Sequence, residues 1–565
     1  MKLKTLLGVF ALGTALVTVS PALAQIEDYV PVSAETLNNP DAGDWLHWRN
    51  SPEGWGHSAL DQINTDNVDE LQLAWGWAME PGSQQTTPLI YDGVMYIASP
   101  GGIVHALDGA TGDLLWEYRR EMPEDFRPGG ITRGLAIFED KIYYGTPDAS
   151  LVALDATSGQ VVWESVVADH EGGKRITAAP VVADGKVIIG FQGCSRFSED
   201  KCAVVAFDAE TGEESWRFVT VEDAEVGEDS WGGTPYVLRG GADVWTSATY
   251  DVEQNLILIG VSQPKPWARV SRGQDGPSLY SSSVLALRPE NGELAWYRQY
   301  VPGESTDADE AFEHMIIEIE GERRYVNMGK LAILWEGSLE DGSPRAAYDL
   351  GWQDLIDTDG AEFVDYREGM LPVLNEPSAR CPSLAGFRSW RAMSFSPETR
   401  AVYVPMNTNC EEGMIHTEVE MAEGGGGNGT SGSQRGMHPN SPDNMGRFAA
   451  VNVDTGEVMW EHVMRSPANT STMTTAGGLV FGGDWDRNFF AFDEETGEVL
   501  WKTRLQQAPQ GYLASYEVDG RQYIAVPVGV GGASWSTSMP SSLLPEISRP
   551  SSGNAIMVFA LPETE

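Results

Sequence analysis

The sequence predicts an all-β protein, an eight-bladed β-propeller held together by tryptophan-docking repeats, and three observations carry that prediction. A phrase of the form A-x-(x)4-G-x3-W returns along the chain, ending at Trp116, Trp163, Trp216, Trp296, Trp460 and Trp501. Each copy places apolar residues on both sides of a polar, glycine-containing tight turn, as in AFDEETGEVLW, which is the pattern of a β-hairpin. Most consecutive copies lie about 40 to 80 residues apart, the period of a propeller or solenoid. The third observation concerns the ends. NAIMVFALP at 554–562 starts a copy that has no tryptophan, and NVDELQLAWGW brings Trp75 with no turn before it. The two ends are therefore expected to complete one blade, closing the ring and removing exposed sheet edges.

Taken in order, residues 1–24 read as a signal peptide: two lysines, an apolar run, then Ala22-Leu23-Ala24, a small-residue cleavage pattern. Residues 25–565 are expected to form a single propeller domain, exported to the periplasm, since no later stretch reaches the roughly 20 apolar residues of a membrane helix. A tryptophan at the end of every turn must be buried. Wedged between neighbouring sheets, it hides a large apolar area while its N–H finds an acceptor. Between Trp296 and Trp460 the phrase is unreadable, leaving room for about three blades, with LAILW at 331–335 as a degenerate copy. Residues 410–447, centred on EGGGGNGTSGSQRG, read as a Gly/Ser-rich loop insertion, a mobile surface loop or lid. Helix content is expected to be low.

Lysine and arginine number 37 against 83 aspartates and glutamates, a formal charge of −46. Such a surface repels nucleic acid and anionic lipid, suits a high-salt environment, and steers cationic partners inward. The four cysteines, Cys194, Cys202, Cys381 and Cys410, are an even number that favours two disulfides in an oxidising compartment, with three pairings open. There is no CxxCH for covalent haem and no Cys/His spacing typical of zinc.

With its Trp-ended turns the chain resembles the tryptophan-docked quinoprotein alcohol dehydrogenases, eight-bladed enzymes that use pyrroloquinoline quinone (PQQ). The similarity runs from about Trp45 to Pro562 and includes GWGHSALDQINTDNV near the start and GRQYIAVPVGVGG near the end. The paired CP and NTNC segments, the Cys194/Cys202 segment and the lack of a vicinal cysteine pair are similar to the periplasmic sorbose dehydrogenase branch. The resemblance pairs Cys381 with Cys410 and Cys194 with Cys202.

For the site, the resemblance implies that Trp245, in GGADVWTSATYD, forms a floor under the planar quinone, an aromatic face being the right surface for a flat conjugated ring. Arg133, in GGITRGLA, matches an arginine that pairs with a cofactor carboxylate, for which a planar guanidinium is suited. Gln85 and Thr177 match further polar contacts, Ser389 and Trp390 align with a cofactor-contacting pair, and Trp535 is placed to cap the pocket. Lys330 aligns with the lysine that reaches the quinone oxygens and stabilises charge as they are reduced. WYRQYVPGESTDADEAFEHM aligns without gaps with a family stretch close to P-x-D-x-W-D. That alignment places Asp307 on the catalytic base, with Thr306 and Glu304 replacing the motif's Trp and earlier Asp. A base here must stay ionised within reach of the alcohol hydroxyl.

A metal is expected beside the quinone, and hard cations want oxygen ligands. The family's Asn ligand aligns with Gln263, and Asp307 also belongs to the set. The family's Glu ligand falls on Ser195, with Glu199 the nearest acid. Asp309 adds a carboxylate at an offset that accompanies lanthanide binding in some members, so calcium is the default ion and a lanthanide the alternative. Together these expectations describe a periplasmic PQQ-dependent dehydrogenase of an alcohol, including a sugar or polyol, that passes electrons to an external acceptor such as cytochrome c. The alternative is a cofactor-free propeller used as a binding scaffold, which shares the repeat but not the residues at Arg133, Trp245, Asp307 and Lys330.

Overall fold

Each copy of the repeated phrase forms the last two strands of a four-stranded antiparallel sheet. In the first copy, Ile103–Asp108 and Leu114–Arg119 follow Leu89–Tyr91 and Val94–Ser99 as a simple meander. The turn is built from its own residues: Asp108 Oδ1 accepts the backbone N–H of Ala110 at 2.9 Å and of Thr111 at 2.8 Å, and Gly112 takes a positive φ of 77°. Asp155, Asp208, Asn452 and Asp493 close their turns in the same way. An Asx side chain that caps its own turn, with glycine where the backbone must turn left-handed, explains why the phrase tolerates so little variation.

The computed structural model describes residues 26–563 apart from 27, 124–125, 127–130, 224–228, 360–362 and 531–541, so the expected signal peptide at 1–24 lies outside the described residues. Strands make up 44% of the fold and helices 4%. Successive sheets occupy 89–119, 136–166, 181–219, 249–299, 315–349, 394–464 and 473–504, each of four strands except the last, to which His57–Ser58 adds a parallel fifth. One further sheet joins the ends: Gln72–Ala78 pairs antiparallel with Ala555–Ala560, which pairs with Arg521–Val528 and that with Ala514–Val518.

The tryptophans dock each sheet onto the next. The Trp116 indole donates its N–H to Ala156 O at 2.9 Å and covers Gly159, where a Cβ would stand 2.5 Å from the ring. The same pair of contacts joins Trp75 to Gly109 and Gly112, Trp163 to Ala209 and Gly212, Trp216 to Pro289 and Gly292, Trp296 to Leu339 and Gly342, and Trp460 to Glu494 and Gly497. Several of these carbonyls accept a second donor, a tyrosine hydroxyl: Tyr96 at Ala156, Tyr143 at Ala209, Tyr516 at Gly109 and Tyr403 at Glu494. Burying an indole of about 150–250 Å² at roughly 25 cal/mol per Å² makes each dock worth about 4–6 kcal/mol before entropy is counted.

The region between Trp296 and Trp460 differs from expectation. It holds two four-stranded sheets of the repeated kind, 315–349 and 394–464, rather than about three, and the remaining length forms the hairpin Ile356–Asp359 and Phe363–Tyr366 and a separate four-stranded sheet built on Asn409–His416. The degenerate copy is not LAILW. Trp335 gives its indole N–H to the Glu310 carboxylate, and the docking position is filled by Tyr348, whose ring lies where a Gly456 Cβ would be 2.2 Å away. The 410–447 insertion is strand-rich. Asn409–His416 pairs with Pro377–Arg380, Thr430–Ser431 and Gln434–Met437, and Gly427 N–H donates to Ser195 O at 2.7 Å. Both disulfides, Cys194–Cys202 and Cys381–Cys410, are formed as expected.

Gly159 and Gly185 share a left-handed backbone, but only Gly159 faces a docking ring, nothing lying within 4 Å of a Gly185 Cβ. Gly185→Ala should cost about 1–2 kcal/mol of backbone strain alone, whereas Gly159→Ala should cost clearly more in urea unfolding; equal losses would contradict the dock.

Candidate functional site

The first strands of neighbouring sheets touch one another, 136–138 with 181–183, 181–183 with 249–251, and 394–396 with 473–475. Residues entering those strands therefore meet near a common hub. A circuit of hydrogen bonds runs through them: Thr87 N to Arg133 O, Arg133 N to Thr177 O, Tyr512 N to Thr86 O, Ser471 N to Gly511 O and Thr472 N to Ala392 O. It continues through the Thr177 hydroxyl to Trp245 O, the Thr246 hydroxyl to Ala311 O, and Met393 N to Glu313 Oε1. Gln85, Arg133, Thr177, Trp245 and Trp390 each stand three or four residues before a first strand. One link in each sheet, repeated around the hub, collects side chains hundreds of residues apart.

Over this hub lies a cavity of about 350 Å³ whose lining includes Arg133, Thr177, Ser195, Trp245, Gln263, Asp307, Asp309, Lys330 and Ser389, all expected from the sequence. Trp245 is half-buried, and the Arg133 guanidinium stands 4.8 Å from its ring centroid. Arg133 donates to Gln85 Oε1 at 2.7 Å and to Trp245 O at 2.9 Å, so Gln85 fixes the guanidinium without lining the cavity itself. Trp390 also stays out of the lining. It is buried against Trp48, Tyr512 and Ala179, beneath Trp245. Trp535 lies outside the described residues. Glu199 is a correction: it is exposed in a separate groove with Asp200 and Lys201, because the disulfide loop carries it outward, and Asp243 supplies the carboxylate that lines the cavity near Ser195.

At one end of the cavity, Lys330 Nζ lies 3.0 Å from both Asp307 Oδ2 and Asp309 Oδ2 and donates to Asp307 O at 2.8 Å. All three side chains are buried. Burial pushes the Asp307 carboxyl up to about 7, with the Lys330 ammonium pulling the other way. For Lys330, burial disfavours the charge, but the two carboxylates outweigh it and hold the ammonium above the ordinary lysine range. Gln263 Oε1 is buried with no hydrogen-bond partner, an oxygen free to take a hard cation beside Asp307 and Asp309.

Sequence reasoning missed several cavity residues. Lys265 is buried with its ammonium 4.4 Å from the Trp267 ring centroid, and burial lowers its proton affinity against the pull of Asp307, Asp243 and Asp309. Asp243 accepts from Gly193 N at 2.6 Å and Cys194 N at 3.0 Å, which pins the disulfide loop to the wall. Arg175, Gln192, Ser262 and Asn428 complete the polar lining. Lys265 and Trp267 lie in the same SQPKPW segment as Gln263, and Asp243 lies two residues before Trp245. Proximity to the recognised residues was the only signal for them. A half-exposed indole, a guanidinium, a carboxylate–ammonium cluster and an unpaired amide oxygen together suit a flat, acidic redox cofactor with a cation at its edge.

Comparison with known proteins agrees. The profile of the PQQ family, the "Glucose/ethanol/alcohol dehydrogenase, beta-propeller domain", matches residues 45–328 and 352–524. A quinoprotein ethanol dehydrogenase of Pseudomonas aeruginosa is 31% identical over 98% of this chain and 95% of its own length. A quinoprotein alcohol dehydrogenase of Pseudomonas putida is also 31% identical, over 85% of each chain. Among solved structures, a europium-containing methanol dehydrogenase superposes with a TM-score of 0.85 at 26% identity, covering 93% of this chain and 99% of its own.

Replacing Lys330 by methionine leaves Asp307 and Asp309 buried without their cation, a change of about 3–5 kcal/mol when both are ionised. Below the unfolded-state carboxylate range the acids enter the fold neutral, and the penalty grows as pH rises above that range and ionised carboxylates must be buried without a cation, the Asp307 carboxyl being raised by burial even beside Lys330. Lys330→Met should thus be far more destabilising at pH 8 than at pH 5 in urea unfolding; a pH-independent loss would contradict the cluster.

Proposed function

Because the chain belongs to the PQQ-dependent alcohol dehydrogenase family, we propose that it oxidises an alcohol to the aldehyde or ketone with PQQ bound over Trp245, as a periplasmic enzyme. The observation that carries this reading is the half-exposed indole of Trp245 beside Arg133, in one cavity with Asp307 and Lys330. PQQ, when bound, supplies the two-electron acceptor for the alcohol's hydride, and a hard cation beside it polarises the accepting carbonyl. Trp245 offers the flat apolar surface, and Arg133, held by Gln85, meets a carboxylate. Asp307 takes the hydroxyl proton, for which a carboxyl raised toward neutrality is well matched. Lys330 holds positive charge at the edge where negative charge develops.

Charge balance supports a metal. The cavity lining carries four cations, Arg133, Arg175, Lys265 and Lys330, and three carboxylates, Asp243, Asp307 and Asp309. A tricarboxylate cofactor alone would leave the chamber two units negative, a divalent ion brings it to neutrality, and a trivalent one leaves it one unit positive. Calcium is therefore the default and a lanthanide the alternative, with Gln263, Asp307 and Asp309 as oxygen donors; Ser195 lies on the same wall.

The groove next to the cavity supports a substrate class. An adjoining groove of about 460 Å³ shares Trp267, Leu384 and Asn428 with the cavity and is lined by Met414, Thr430, Ser431 and Ser433. The hydroxyl and amide groups along this groove favour a sugar or polyol over a short alkanol. Electrons leave to an external acceptor, a basic cytochrome c being complementary to the acidic surface. The same reading takes the seven successive sheets and the sheet that joins the ends as eight blades of one ring.

Adding PQQ with calcium, or with lanthanum, should restore dye reduction over a panel of alcohols and polyols. Asp307→Asn should lower kcat by about 10²- to 10⁴-fold without loss of bound quinone. Absence of turnover with both metals, together with no quinone binding, would overturn the proposal.

A further inference from the structure

Lys330 sits between two backbone amides that a single buried carboxylate holds. Glu310 Oε2 accepts the Gly329 N–H at 3.0 Å and the Trp335 indole N–H at 2.7 Å, and Oε1 accepts the Leu331 N–H at 3.1 Å. Gly329 has no side chain at the point where a Cβ would lie 2.3 Å from the Glu310 carboxyl carbon, so the carboxylate comes against the backbone as only glycine permits. Glu310 has no exposed surface. It follows directly after Asp309, and Asp307 and Asp309 hold the ammonium at the far end of the Lys330 side chain. The Lys330 N–H donates to Asp309 O at 2.9 Å, and its carbonyl accepts from Phe387 N at 2.9 Å. The stem runs past Gly386, where a Cβ would be 2.4 Å from Lys330 Cγ. Residues 307–310 thus hold Lys330 at both ends, the carboxylates of Asp307 and Asp309 at the ammonium and that of Glu310 at the peptide groups on either side.

A buried carboxylate is costly unless every oxygen is occupied, and an apolar side chain would fill the space beside Trp335 more cheaply. A lysine stem has four flexible carbons, and a catalytic group must be held within about 0.5 Å of its working position. We infer that Glu310 is a positioning residue for the proposed reaction, setting the backbone at 329–331 so that the Lys330 ammonium is presented to the cavity. This role rests on the functional reading above. Glu310 does not line the cavity, so it acts through Lys330.

Three N–H groups share two oxygens, so Glu310→Gln, with one acceptor oxygen, must leave at least one of them facing an amide NH2. Trp335→Phe removes the indole donor alone and leaves both peptide bonds in place. In the PQQ-reconstituted protein, Glu310→Gln should lower kcat about 10- to 100-fold, with alcohol KM and quinone affinity nearly unchanged. Amide hydrogen exchange at Gly329 and Leu331 should speed up even without PQQ. Trp335→Phe should keep kcat within about twofold and keep the slow exchange. The inference is overturned if Glu310→Gln retains wild-type kcat or wild-type amide protection, or if both variants lose kcat equally, which would make Glu310 mere support for the indole. A wild-type protein that binds no quinone would instead remove the functional reading, and this role with it.

Discussion

The structure depends on one contact: an indole lying flat on a glycine turn of the next sheet, with its N–H on a carbonyl three residues before that glycine. The contact is directional, since the ring packs where a Cβ would clash and the N–H has one acceptor in reach. Repetition therefore fixes how each sheet stands against its neighbour. The chain's two ends supply the last sheet between them: Trp75 docks onto Gly112, and Trp501 packs edge-on to Phe559. Where the sequence lacks a tryptophan, Tyr348 keeps the ring contact on Gly456. Sharing of the acceptor carbonyls with the buried hydroxyls of Tyr96, Tyr143 and Tyr403 ties three of the docks to the second strand of a sheet as well as to its fourth.

This scaffold accounts for a site assembled from distant segments. The residues just before the first strands form a hydrogen-bonded circuit at the hub, and their side chains need only turn toward one face to share a chamber. The chemistry is concentrated on one side, where 307–310 meets 329–331. Three acidic side chains within four residues would repel one another if each were not answered, Asp307 and Asp309 by Lys330 and Glu310 by peptide and indole N–H groups. Burial raises Asp307, and a carboxyl near neutrality is a serviceable proton acceptor where an ordinary aspartate would be a weak one.

Much of this was legible in the sequence because local chemistry repeats. The Asx-capped glycine turn writes the same phrase wherever a hairpin forms, and the unfinished copies at residues 75 and 554–562 give the ring closure. Arg133, Trp245, Asp307 and Lys330 could be placed because their flanking residues match family motifs. What escaped notice has no local signature. Glu310 looks like one more acid in GESTDADE, and only the fold shows Gly329 and Leu331 arriving at its oxygens. Tyr348 was hidden because an aromatic other than tryptophan closes that dock, and Glu199 misled because a short disulfide loop turns one residue outward while its neighbour Ser195 faces in. The Gly/Ser-rich stretch has loop composition, yet its backbone pairs with the disulfide loop and lines the groove that adjoins the cavity.

The central claim is that a flat, acidic quinone lies on Trp245 at the hub of the ring. A crystal structure of the protein saturated with PQQ and calcium tests it most directly. The account predicts planar density parallel to the Trp245 indole, with a carboxylate at Arg133 and the opposite edge at Lys330 and Asp307. A hub left empty at saturating PQQ, or a quinone bound elsewhere on the surface, would contradict it.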